Sequence, residues 1–174
     1  ISLRESRERA VLEGIRLSKD VVRPGERLDI TMFIRPYWGD TTTKRISLQV
    51  PEDAPEGRLE LRVYDARTAY MMERRQAPAR FRPRNLADLL DLLGETPRNN
   101  EVVVDLFLRR TGATVGAAEL PSLPGSMLAV LQSTRQAGQA GLTQGTRIAQ
   151  QRVPLDFVVA GNKVLPLRVD WRAR

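Results

Sequence analysis

The chain has no histidine and no cysteine, only three lysines, and aromatic residues at 5% of its 174 positions. Without histidine, Ser-His-Asp and Cys-His nucleophile systems, the commonest general base and imidazole metal ligands are all missing. Ser-Lys catalysis stays formally open, but Lys19, Lys44 and Lys163 are scattered, no Ser-x-x-Lys spacing occurs, and an unassisted serine is a poor nucleophile. Without cysteine there is neither a disulfide framework nor a thiolate zinc site, while exported and internal compartments both stay open. Long apolar runs are missing too. The longest uncharged stretch, residues 120–134, holds two prolines, a glycine and several polar residues, short of the about 18 apolar residues that a membrane helix needs. The chain begins at Ile1, which points to a processed product or a fragment of a larger protein.

What is present suits a folded domain. Hydrophobic residues make up 41% and charged residues 28%. A chain of this length buries about 70% of its unfolded surface and needs no metal or disulfide staple. The net charge of +7 is carried mostly by arginine. A basic surface attracts phosphate-rich partners, so a nucleic-acid-binding domain is the alternative reading of this composition. Acids are interspersed through most of the chain, however, as on a solvated mixed-charge surface.

Period-two patterning dominates the first third. Leu28, Ile30, Met32 and Ile34 alternate with Asp29, Thr31, Phe33 and Arg35, which predicts a half-buried strand introduced by the Pro24-Gly25 turn. Ile46, Leu48 and Val50 predict a second strand, and Leu59, Leu61 and Val63 a third. Pro51, Pro55 and Gly57 separate these two. Residues 11–17 predict a weaker fourth strand. Short alternating strands between Pro/Gly turns predict a mainly β chain built as an antiparallel, immunoglobulin-like sandwich.

Residues 67–84 read as an irregular, arginine-rich connection. Asn85 is placed to cap a helix whose Leu86, Leu89, Leu90 and Leu93 fall at i, i+3, i+4 and i+7, with Gly94 and Pro97 ending it. One apolar face predicts packing against the sheet. Strand pattern resumes over 101–109, where Val102, Val104, Leu106 and Leu108 share a face. A short helix is expected over 126–133 and a mobile loop over 136–145. The end reads as a hairpin, 152–160 and 163–171 about a Gly161-Asn162 turn. The segments 1–66, 67–100 and 101–174 are expected to form one continuous domain with one or two helical insertions.

Candidate contact residues follow from charge and exposure patterns. Arg74, Arg75, Arg80, Arg82 and Arg84 lie in a stretch with no acid between Glu73 and Asp88, with Tyr70 and Phe81 nearby. Clustered guanidinium groups fork onto carboxylate or phosphate, so this stretch is suited to an acidic partner; the competing expectation is that it covers the flank of the sandwich and pairs with its acids. Tyr37 and Trp38 follow Pro36 at a strand end, where they either stack on a ligand or close the core. Glu52, Asp53 and Glu56 crowd a turn without the regular calcium-loop spacing, and Asp88 and Asp91 lie off the leucine stripe. No phosphate-cradling glycine loop occurs; Gly112, Gly116 and Gly125 are too widely spaced. No metal or cofactor is implied.

Three strings add a resemblance: Val22-Arg23-Pro24-Gly25-Glu26, Ile34-Arg35-Pro36-Tyr37-Trp38-Gly39, and Val50-Pro51-Glu52-Asp53-Ala54-Pro55-Glu56-Gly57. Their order resembles the immunoglobulin-like region that follows the peptidase domain in exported bacterial sporulation-type (SpoIVB-like) serine peptidase relatives. Asn85-Leu86-Ala87-Asp88-Leu89-Leu90, the Leu120-Pro121 turn and the late Gly161 are also similar. The resemblance implies an exported, periplasmic or cell-surface location. It carries over no catalytic residue, because that family's catalytic serine and histidine lie in a separate domain. The resulting expectation is a non-catalytic interaction or scaffolding module of a larger exported bacterial protein, whose partner is another domain of the same protein or another protein.

Overall fold

A computed structural model describes residues 9–76, 78–109, 112–115, 118–120, 140–143 and 145–172. Two sheets share one apolar core, and a small third sheet is formed by β7 (Gly112–Val115), β8 (Ala118–Leu120) and β9 (Ala140–Thr143). The first sheet has four strands: β1 (Arg9–Leu17), β3 (Arg27–Pro36), β4 (Thr42–Gln49) and β11 (Val158–Ala160), in the order β11-β1-β3-β4. The second has five: β2 (Val21–Val22), β5 (Gly57–Asp65), β6 (Glu101–Leu108), β10 (Thr146–Pro154) and β12 (Asn162–Val169), in the order β10-β6-β5-β12-β2. Most pairings are antiparallel; β1 with β11 and β2 with β12 run parallel. Among the described residues no helix is long and apolar enough to cross a membrane.

The alternation read from the sequence sets the core. Leu28, Ile30, Met32 and Ile34 of β3 face Leu59, Leu61 and Val63 of β5 and Val102, Val104, Leu106 and Leu108 of β6 in one buried cluster. Leu48 of β4 and Val50 just after it join them, and Ile46 packs against the edge. The Pro24-Gly25 turn works as expected, since Gly25 adopts φ 76° and donates its N–H to Val50 O at 3.1 Å.

Four expectations change. Residues 67–84 are not irregular, because α1 (Ala66–Gln76) and a 3-10 turn (Pro78–Phe81) occupy most of them. Asp65 starts α1: its Oδ1 accepts the Thr68 N–H at 2.6 Å, while its Oδ2 accepts the Gly161 N–H at 2.8 Å. The second difference follows, because α1 covers the outer face of β5 and β6 and packs Ala69 and Met72 on Tyr64 and Val103. Strand β6 is therefore buried on both faces rather than alternating.

The terminal hairpin is the third. Strand β11 pairs with β1 in the first sheet and β12 pairs with β5 in the second, so the chain crosses between sheets at Gly161, with φ 118°. A two-residue turn and a crossover make the same local demand for a positive φ, and only the distant partners distinguish them. The fourth concerns 136–145, where Ala140–Thr143 forms β9 instead of loop; residues 136–139 and 144, like the helix expected over 126–133, lie outside the described residues.

Candidate functional site

Helix α2 (Leu86–Glu95) starts where the sequence places it. Asn85 is extended, at φ −149° and ψ 177°, and its side chain accepts the Asp88 N–H at 2.8 Å. At the other end Thr96 returns its backbone N–H to Leu92 O at 3.1 Å. The expected packing on the sheet is not found. No residue of α2 is buried, and Leu86, Leu90 and Leu93 are 70%, 59% and 62% exposed, with Leu89 at 38%.

The reason lies in which side of α2 meets the protein. Arg82, Pro83 and Arg84, leading into the helix, line a groove with Asp88, Asp91, Leu92 and Glu95. Asp88 also accepts the Arg84 N–H at 3.1 Å, and Arg152 of β10 donates to the Glu95 carbonyl. These hydrogen bonds to backbone groups hold the polar side toward the preceding loop and β10. At 100° per residue the four leucines then point the other way. A stripe of leucines left in water is an unusual use of apolar surface.

Of the predicted arginines, Arg82 and Arg84 lie beside this helix. Arg74 and Arg75 are exposed in the last turn of α1, Arg80 belongs to the 3-10 turn, and Arg82 and Arg84 are exposed just before α2. Tyr70 of α1 and Phe81 meet edge to face at 5.2 Å between ring centres, tying the 3-10 turn back to α1. Among the described residues no ion pair engages Arg74, Arg75, Arg82 or Arg84, so the expected pairing with acids of the sandwich flank does not occur at these four. Sequence reasoning found the leucines and the arginines but assigned the leucines to the core.

Tyr37 and Trp38 do not close the core. They are 71% and 79% exposed and meet edge to face at 5.1 Å beyond the end of β3, next to Gly39 at φ 101°. No contact among the described residues joins them to the α2 surface. Trp171 sits at the rim, with its indole N–H donating to Ala54 O at 3.2 Å.

One cluster of buried ionisable groups has no forecast in the sequence. Asp105, 3% exposed in the middle of β6, accepts a hydrogen bond from the Tyr64 hydroxyl and lies 3.4 Å from the Arg147 guanidinium. Arg147 also reaches Glu73 of α1 at 3.4 Å. Beside them Arg62 stacks 3.5 Å over the Phe107 ring and bridges to Glu60 at 2.7 Å. Burial pushes the Asp105 carboxyl above its ordinary range against the opposing pull of Arg147, and burial followed by the Asp105 charge pushes the Tyr64 hydroxyl up. Both groups are sealed beneath α1, so no solute reaches them unless the helix lifts. The cluster fastens α1 to the sheet. The hint in the sequence is Asp105 standing among the apolar residues 102–108.

Compared with protein-family models, with curated proteins and with solved structures, the chain matches none of them.

Proposed function

We propose that this chain is a non-catalytic protein-interaction module whose docking surface is the leucine face of α2. One observation carries the reading: a capped helix presents leucines at i, i+3, i+4 and i+7 to solvent and buries none of its residues. That spacing is the anchor pattern of a helix laid into an apolar groove of a partner. The sheets supply a rigid base, and Asp65, Tyr64, Asp105 and Arg147 hold α1 on it ahead of α2. The lack of histidine and cysteine supports binding over turnover.

The finer reading is an immunoglobulin-like module of a larger exported bacterial protein, possessing a peptidase association. It is supported by two sheets over one core and by the motif order shared with the sporulation-type peptidase relatives.

Carbene footprinting tests the docking surface. The full protein is labelled in the cells that make it, and the purified chain is labelled alone. Peptides covering residues 86–93 are expected to be protected in cells and open in isolation. Equal labelling in both settings overturns the reading.

A further inference from the structure

We infer that the outer face of the first sheet binds single-stranded nucleic acid, independently of the reading of α2. Strand β3 alternates buried Leu28, Ile30, Met32 and Ile34 with outward Asp29, Thr31, Phe33 and Arg35. Tyr37 carries the outward row one step past the strand, since its N–H still bonds to Arg9 O at 2.8 Å. Register brings the neighbouring strands into line. Arg16 of β1 and Arg45 of β4 flank Thr31, Gly14 and Thr43 flank Phe33, and Val11 lies beside Arg35. Helix α1 covers the outside of the second sheet, whereas these outward side chains of the first are exposed or half-buried.

The face therefore alternates cation and ring. Successive outward positions on a strand lie about 7 Å apart. Along β3 the Arg16 and Arg45 pair at Thr31 gives way to the Phe33 ring, then to Arg35, then to Tyr37 with Arg9 and Trp38. A ligand that repeats a negative charge and a flat ring meets both components, and a single strand offers phosphates and unpaired bases in that way. The Arg16 guanidinium stands over the Phe33 ring, 5.6 Å from its centre, a stack that a base extends. The exposed Tyr37 and Trp38 meet edge to face, which leaves both faces of one ring and one face of the other free. Beside Thr31 and Arg45 an open depression of about 480 Å³ adds room for a nucleotide, with Asp29, Ile46 and Ser47 as its other walls.

Charge selects the same ligand. Arg9, Arg16, Arg27 and Arg45 make no ion pair among the described residues, on a chain of net charge +7. Such guanidinium groups fork onto phosphate. The acids on the outward positions are engaged, Glu13 with Arg35 at 3.0 Å and Asp29 with the Ser47 hydroxyl, and Asp40 in the turn after Trp38 is outnumbered. A duplex keeps its bases stacked away from rings on an open sheet, so the match is to a single strand. A lipid surface is the poorer fit, because Phe33 lies mid-strand among cations and not at the tip with Tyr37 and Trp38.

The test is fluorescence anisotropy of the chain with labelled oligodeoxythymidine and oligouridine of about twenty nucleotides, longer than one such site. Binding is expected at low salt, with log Kd rising against log salt at a slope of about 3, from about four phosphates at about 0.7 each. Arg16→Ala/Arg45→Ala is expected to lower that slope by about 1.4. Tyr37→Ala/Trp38→Ala is expected to weaken binding at least about tenfold and to leave the slope unchanged. Both double variants replace outward side chains and are expected to melt with the parent, and Leu90→Gln/Leu93→Gln is expected to bind as the parent does.

Flat anisotropy at low salt overturns the inference. Equal affinity for duplex, heparin or an abasic strand also overturns it, by reducing the surface to a patch of cations. Binding that survives both double variants, or that fails in the leucine variant, puts the site elsewhere and overturns it too. Flotation with phosphatidylglycerol vesicles, or concentration-dependent dimers in sedimentation, either one abolished by Tyr37→Ala/Trp38→Ala, gives the face to lipid or to a second copy instead.

Discussion

The Arg147 guanidinium stands 3.4 Å from the carboxylate of Asp105, one of the few buried polar side chains among the described residues. Tyr64 and Arg62 approach the same carboxylate from β5, Arg147 and Gln150 from β10, and Glu73 closes the far side of Arg147 from α1. A buried charge held by one strong partner is costly to orphan, and its protonation is tied to stability.

The pH dependence has a definite sign. Burial raises the Asp105 carboxyl in the folded chain, with Arg147, hydrogen bonds from Tyr64 and Gln150, and Arg62 pulling the other way. The unfolded chain therefore gives up this proton first. The stabilising contribution is whole below the unfolded carboxyl pKa, about 4, and is lost as pH rises through the higher folded value. Asp105→Asn keeps a neutral side chain of the same shape. Its melting temperature is expected to stay flat over that interval, where the parent chain declines, and to equal or exceed the parent's at neutral pH. A variant less stable than the parent at neutral pH shows instead that the bond to Arg147 outweighs burial.

The leucines divide into two energetic classes. Leu61 and Leu106 are fully buried between the sheets, and replacing either by Ala is expected to cost about 2–5 kcal/mol. Leu90→Gln and Leu93→Gln remove side chains that already stand in water, and each is expected to shift stability by less than about 0.5 kcal/mol. Urea denaturation followed by tryptophan fluorescence and circular dichroism measures both. A large loss on changing Leu90 or Leu93 places the α2 stripe in the core after all.

That contrast shows how far the sequence could be read. Alternation identified the inward positions of β3, β5 and β6 because a strand with one face on a core repeats every two residues, and those positions are buried. Asn85 and the leucine spacing identified α2. Periodicity tells which side chains share a face and is silent on what lies opposite, so the same four leucines fit a core or a docking surface. Helix α1 was missed for a different reason. Its charged sequence buries only Ala66 and Ala69, with Met72 partly buried, too few apolar positions to show a period, although Asp65 as a cap and the helix-forming run through Gln76 were available signals. The Asp105 cluster depends on α1 and β10 meeting on β6, a non-local event with no local trace beyond one acid among valines.

Gly145 has a steric role. A Cβ built there collides with the Phe107 ring and with the Leu108 carbonyl, and the second of these is backbone in a buried strand. Gly145→Ala must push β10 away from β6 at the start of their pairing. The expected cost is about 1–3 kcal/mol, the usual range for overpacking. An unchanged urea midpoint contradicts the close approach.

The cap of α2 separates local from global stability. Replacing an Asn cap by Ala costs a helix about 0.5–2 kcal/mol. In most helices that loss spreads through tertiary packing, but α2 buries no residue and so has little packing to transmit it. A helix of about ten residues is marginal without such support. Asn85→Ala, which removes the acceptor for the Asp88 N–H, is therefore expected to speed hydrogen exchange of the α2 amides about tenfold. Amides of β5 and β6 exchange through global opening and are expected to keep their rates, together with an unchanged melting temperature. If the strands loosen along with the helix, α2 is coupled to the core, and its leucines are not free to dock elsewhere.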